Sequence, residues 1–148
     1  MEIEQFIDIA IATNGSDYDV AKCIYEIYKN NYKFIDNTWY EFDKENNTWI
    51  NLKSKVNIKI RNDLSEEVCK KFIERAQYYN NKLYSTSDES QKQIYDKKAS
   101  SAIKISLKLK QSGFKDSIMK ECKCLFIDEK FEELLDNKSH LLGFENGV

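Results

Sequence analysis

Apolar positions recur at helical spacing from the start of the chain. Ile3, Phe6, Ile7 and Ile11 share one side of a helical repeat, which predicts a short amphipathic helix over residues 2–12. The stretch "TNGS" (13–16) breaks it. Ser16 with Asp19 three residues on predicts an N-cap of the capping-box kind, with Asp in place of Glu. Val20, Cys23, Ile24, Ile27 and Tyr28 then form the stripe of a second helix. The pattern changes in "YKFIDNTWYEFDKENNTWINLKS", which is rich in aromatic and β-branched residues. Asp36-Asn37 and Glu45-Asn46-Asn47 are turn chemistry and separate predicted strands at 33–35, 38–43 and 48–52. Three such strands make a small antiparallel meander, which must lay one face on the helices to be stable.

Helical spacing returns from about residue 55. Ser65 predicts the cap of a helix that turns Val68, Cys69, Phe72, Ile73, Ala76 and Tyr79 inward. "STSDES" (85–90) reads as loop and cap, followed by a long helix over about 88–111 that ends near Gly113. A further helix is predicted over about 114–126, and a short one in "DEKFEELLD" (128–136). One stretch conflicts with this. "IKISLKLK" (103–110) alternates strictly, as a strand does, but follows the helix-forming "QKQIYDKKASSA". Helix is the expectation, with a wide apolar face buried between neighbours. The fold class predicted is α+β, a mostly helical single domain with a three-stranded antiparallel meander near residues 33–52.

Composition narrows the functions. The chain has 148 residues, 41% of them apolar, enough for a core. Charged residues make up 32% and nearly cancel at net −2, so no overall basic field advertises nucleic acid. Of the 23 basic residues only Arg61 and Arg75 are arginine; Lys, Asn and Ile are abundant, as in an A+T-rich genome. Cys23, Cys69, Cys122 and Cys124 are scattered, which reads as reduced buried thiols in an intracellular protein. No zinc site is expected, because His140 is the only histidine and Cys122 and Cys124 point to different helix faces. Acids near the N-terminus do not fit a signal peptide, and no apolar run approaches a membrane span.

Nucleotide-binding and hydrolase motifs are missing: no G-x-x-x-x-G-K-[ST], no G-x-G-x-x-G, no H-E-x-x-H. No catalytic residues are expected. Two basic clusters remain. "KSKVNIKIR" (53–61) places Lys53, Lys55, Lys59 and Arg61 just after the aromatic-rich sheet. On the long helix, Lys97, Lys104 and Lys108 share a stripe that Lys115 continues in sequence. Cations beside exposed aromatics are how single-stranded nucleic acid is held, so Lys53, Lys55, Lys59, Arg61, Lys104 and Lys108 are the candidate DNA contacts. The plainer alternative is a solvated, lysine-rich surface over an aromatic core.

Two stretches carry a resemblance. "SDYDVAKCIYEIYKNNYKFIDNTWYEFDKENNTWI" resembles the start of a domain in poxvirus-type primase–helicases of large DNA viruses. There an S/T-D-Y-D-x-A-K helix leads into W-Y-x-F and a later W; Ser16 to Lys22, Trp39, Tyr40, Phe42 and Trp49 stand at those positions. "FEELLDNKSHLLGFENGV" is similar to that family's D-x-n-x-x-L-L-x-F-x-N-G-V, which typically continues into Y-D-L. The resemblance covers about residues 16–148, with 1–15 a linker or an extra N-terminal helix, and the Lys/Asn/Ile bias resembles a mimivirus-like giant virus. It implies a domain excised between an upstream primase and a downstream superfamily 3 helicase. That fits a chain stopping at the turn dipeptide Asn146-Gly147 with only Val148 beyond.

The resemblance further implies that ATP and Mg²⁺ belong to the helicase part, with no cofactor in this segment. Its partners would be the adjacent primase and helicase domains, in a hexamer, at viral replication sites in the host-cell cytoplasm. No membrane is implied. DNA contact and a purely protein-interacting collar both stay open. Trp39, Tyr40, Trp49, Asn146 and Gly147 would be structural signatures.

Overall fold

A computed structural model describes residues 2–53, 56–128 and 130, with 56–58 described at the backbone. Lys55, the predicted helix at 128–136 beyond Asp128 and Lys130, and the terminal turn lie outside the described residues. The elements in order are α1 (Ile3–Ala12), α2 (Asp17–Tyr28), β1 (Tyr32–Ile35), β2 (Thr38–Asp43), β3 (Thr48–Lys53), α3 (Val56–Asp63), a π-helical turn (Leu64–Val68), α4 (Cys69–Ser85), α5 (Glu89–Lys108) and α6 (Ser112–Leu125). This is the expected α+β architecture, mostly helical with one small meander.

Local chemistry accounts for the first half. The Glu2 backbone N–H donates to Gln5 Oε1 (2.9 Å), closing the start of α1, whose Ile7, Ala10 and Ile11 are buried. At α2 the Ser16 hydroxyl accepts from the Asp19 N–H (3.2 Å) and donates to the Asp19 carboxylate (2.7 Å). The shorter Asp therefore grips the capping hydroxyl itself. Gly15 joins the two helices at φ +79°, and a Cβ there would come within 2.8 Å of Ile105 Cγ1. The joint thus needs glycine both for its backbone and for the approach of α5.

The meander runs β1-β2-β3, antiparallel throughout. Asp36 and Asn37 both hold positive φ (49° and 60°), the two-residue turn whose twist matches a hairpin. A register shift between Trp39 and Tyr40 marks a bulge in β2–β3 pairing. Trp39 is buried, with ring contacts to Phe34 (5.1 Å) and to Phe126 at the end of α6 (5.2 Å). The Phe34 N–H donates to the Phe126 carbonyl (3.2 Å). These contacts fasten the sheet's inner face to the helices.

Residue 65 departs from expectation. Ser65 does not start a helix; it lies inside the π turn that runs α3 into α4 without a break. Its hydroxyl instead donates to the Leu109 carbonyl (2.8 Å) at the end of α5. A serine that looks like an N-cap here satisfies the orphan carbonyl of another helix.

The stretch 103–110 is helix to Lys108, yet only half of its apolar face is covered. Two positions are roughly 200° apart around a helix. Ile105 and Leu109 are therefore fully buried, while Ile103 and Leu107 on the other side are 40% and 58% exposed. The core joins the α4–α5 hairpin, the α2–α6 pair and α1 across both. Residues 1–15 thus include a helix built into the core, since α1 contributes Ile7, Ala10 and Ile11 to it.

Candidate nucleic-acid interface

The cluster read at 53–61 is divided by the fold. Lys53 ends β3, exposed and at φ 53°, with its N–H donated to Asn51 Oδ1 (2.9 Å). Lys59 and Arg61 both stand on α3, but two residues apart they face different neighbours. Lys59 lines a cleft of about 340 Å³ with Tyr28, Tyr32, Glu41, Lys44 and Asp63. There Tyr28 donates to Asp63 (3.0 Å), and burial, then a hydrogen bond to Glu41, pushes the Tyr32 phenol up. Two carboxylates against two ammonium groups make a neutral cleft, which gives a phosphate no net attraction.

Arg61 turns the other way, onto α6. Its Nε donates to Asp116 Oδ1 (3.0 Å), and Nη2 donates to Ser112 Oγ (2.8 Å) and to the Ser112 carbonyl (3.3 Å). The groove beside it, about 220 Å³, is completed by Met119, Lys120 and Lys123. Three cations face one carboxylate there. Lys120 and Lys123 went unremarked in the sequence, although Asp116, Lys120 and Lys123 fall at helical spacing. Lys108 reaches the same end of α6, its Nζ 4.3 Å from the Phe114 ring centre. Lys104, one turn earlier on α5, is exposed beside Ile103 in a shallow groove with Asp96 and Ser100. So Arg61 and Lys108 both reach the first turns of α6, Arg61 on Ser112 and Asp116 and Lys108 on Phe114 between them in sequence; Lys104 lies one turn away on α5, and Lys53 and Lys59 face elsewhere.

A second cationic surface was not foreseen. Arg75 on α4 donates two bonds to Asp8 of α1 (Nε 2.8 Å, Nη2 2.6 Å), and Tyr79 adds a third (2.6 Å). Burial alone would raise the Asp8 carboxyl, but these bonds from Arg75 and Tyr79 outweigh it and hold it below its usual range. Burial and the bond to Asp8 push the Tyr79 phenol up to about 12. Around this tie, cations sit over rings. Arg75 is 4.1 Å from the Tyr78 ring centre and Lys82 5.1 Å, while Lys98 of α5 is 5.2 Å from Tyr79. Tyr79 stacks on Tyr95 at 6.2 Å and 22°. At exposed sites each such cation–ring contact is worth roughly 0.5–1 kcal/mol, enough to bias a side chain but not to lock it.

Other chemistry is sparse. Among the described residues no group of three or more His, Cys, Asp or Glu is placed to hold a metal ion. Burial pushes the Cys23 and Cys122 thiols up to about 12, which leaves them poor nucleophiles. No described helix is long and apolar enough to cross a membrane.

No protein-family model matches the chain. Over 137 residues it is 31% identical to an Acanthamoeba polyphaga mimivirus protein named "Putative helicase L207/L206". The similarity is to a helicase-related viral protein. It takes in 90% of this chain and 14% of that protein, so the chain spans about one seventh of the length of the curated relative it matches.

Proposed function

We propose that the chain is a non-catalytic domain of a viral replicative primase–helicase that links primase to helicase, supports helicase assembly and contacts DNA. The similarity to the mimivirus protein carries this reading, because nearly the whole folded unit answers to a small share of a much longer protein named as a helicase. The partners are then the neighbouring primase and helicase domains in a hexamer, and ATP and Mg²⁺ act in the helicase part. Phosphates lie along the groove between α3 and α6, against Lys120 and Lys123, with Lys108 and Lys104 extending the track on α5. Arg61, already paired with Asp116, fixes the groove's wall.

Exposed Ile103 and Leu107 favour a second reading, an oligomerisation collar with no DNA contact. Fluorescence anisotropy with labelled single-stranded, duplex and forked DNA separates the two. Binding that weakens steeply between about 50 and 200 mM salt, and weakens further in K120A/K123A, supports DNA contact. Absence of binding even at the lower salt removes it and leaves the collar.

A further inference from the structure

The tyrosine–cation surface continues into a cleft. From Tyr78, the cationic stripe passes Lys82, stacked Tyr95 and Lys98, and reaches a hollow of about 220 Å³ between α1 and α5. Ile94, Lys97, Lys98, Asn14 and Ser101 line this hollow together with the end of α1. Not one of its lining residues is acidic. Ile94 is 45% exposed there, and Asn14 is held at the rim by the Ser101 hydroxyl, which donates to its Oδ1 (2.9 Å). Of the acids around the stripe, Asp8 is committed to Arg75 and also feels the charge of Lys98. Glu4 and Glu74 border Tyr78 on the α1 side next to Lys71, and Asp96 of α5 lines a separate groove with Asn80 and Ser100. Lys82, Lys97 and Lys98 have no ion-pair partner among the described residues.

We infer that this face, from Tyr78 across Lys82, Tyr95 and Lys98 into the Ile94–Lys97 cleft, seats single-stranded nucleic acid. The inference rests on the DNA-contact reading above and deepens it. Unpaired bases offer flat apolar faces, which suit a ring and an acid-free, half-apolar hollow; their phosphates suit ammonium groups spaced along two antiparallel helices. A duplex keeps its bases stacked inside and can use only the charges. Arg75 stays on Asp8 and keeps the ring array in place, while Lys82 and Lys98 swing from the rings to the phosphates. That exchange is favourable because a phosphate contact releases a counterion, whereas an exposed cation–ring contact is weak.

The test is anisotropy titration of the chain against labelled oligo-dT and a duplex of equal length. The samples are wild type, Y78A/K82A/K98A, Y78F and K120A/K123A, each checked by circular dichroism. Asp8, Arg75 and Tyr79 stay untouched because they anchor α1. The expected result is that Y78A/K82A/K98A loses at least about tenfold in single-strand affinity and distinctly less in duplex affinity, which loses the two charges but no ring contact. Its salt slope on the single strand flattens by about 1.4, from about 0.7 per cation removed. Y78F, which keeps the ring, binds like wild type, and K120A/K123A weakens both DNA forms together. If the triple variant binds the single strand like wild type, or loses both forms equally, the inference is overturned while DNA contact stands. If wild type binds neither form at low salt, the DNA-contact reading itself fails and takes this one with it.

Discussion

Neutralising Asp8 is expected to loosen α1 from α4. The D8N substitution keeps the shape but turns the bidentate ion pair with Arg75 into a weaker contact, and the pair is partly solvated, with side-chain exposures of 16% and 34%. Discounted for that exposure, the loss is about 1–2 kcal/mol in urea unfolding. The same carboxyl sets a pH dependence. Asp8 titrates in the folded state below its ordinary value of 3.8. Its contribution is therefore fully present above that value and is lost as pH falls through the lower, folded-state value. Acid titration of D8N should lack this component, and an identical acid profile in both proteins would show that Asp8 contributes nothing. Gly15→Ala tests the joint between α1 and α2. Left-handed backbone and the 2.8 Å approach to Ile105 act together there, so a loss of about 2 kcal/mol is expected from the urea midpoint.

Among the elements, the β1–β2 hairpin offers room for improvement. Asn37 holds φ 60° in a turn that favours glycine at this position, so Asn37→Gly should raise the melting temperature, by about 0.5 kcal/mol in stability. This hairpin, α1 and α2 could be read from the sequence because their signals are local: turn dipeptides, a capping serine, a single apolar stripe. Ser65 misled because a hydroxyl ahead of an apolar stripe looks the same whether it caps its own helix or another's. Ser65→Ala should accordingly destabilise the α4–α5 pairing by about 1 kcal/mol, seen as faster amide exchange around Leu109. The tyrosine–cation face was illegible for a related reason. Tyr78 and Lys82 stand on α4, Tyr95 and Lys98 on α5, and which of them meet depends on the register of two antiparallel helices. The divided fate of Lys59 and Arg61 could have been anticipated, since two residues cannot share one helical face, but reading "KSKVNIKIR" as one cluster hid it.

For the molecule as a whole, a net charge of −2 works against nucleic acid, so one copy should bind weakly and only through local patches. Linked copies in a ring would multiply such contacts without any new chemistry. Whether copies associate is measurable on the chain alone. If the exposed α5 residues mediate it, sedimentation should show a self-association that Leu107→Lys abolishes; a wild-type monomer at high concentration would remove Ile103 and Leu107 as a self-association surface of the chain alone. The thiols have a practical consequence of their own. Cys124 is exposed, while Cys23 on α2, Cys122 on α6 and Cys69 on α4 are buried. A thiol-specific label should therefore tag Cys124 at once and the others only as often as their surroundings breathe. Cys23 and Cys122 would time the opening of the α2–α6 pair. Cys69, whose Sγ donates to the Ser106 carbonyl at 3.3 Å, would time that of α4–α5. The chain thus carries two separate stopwatches, and a ligand that slows one of them reveals which half it has clamped.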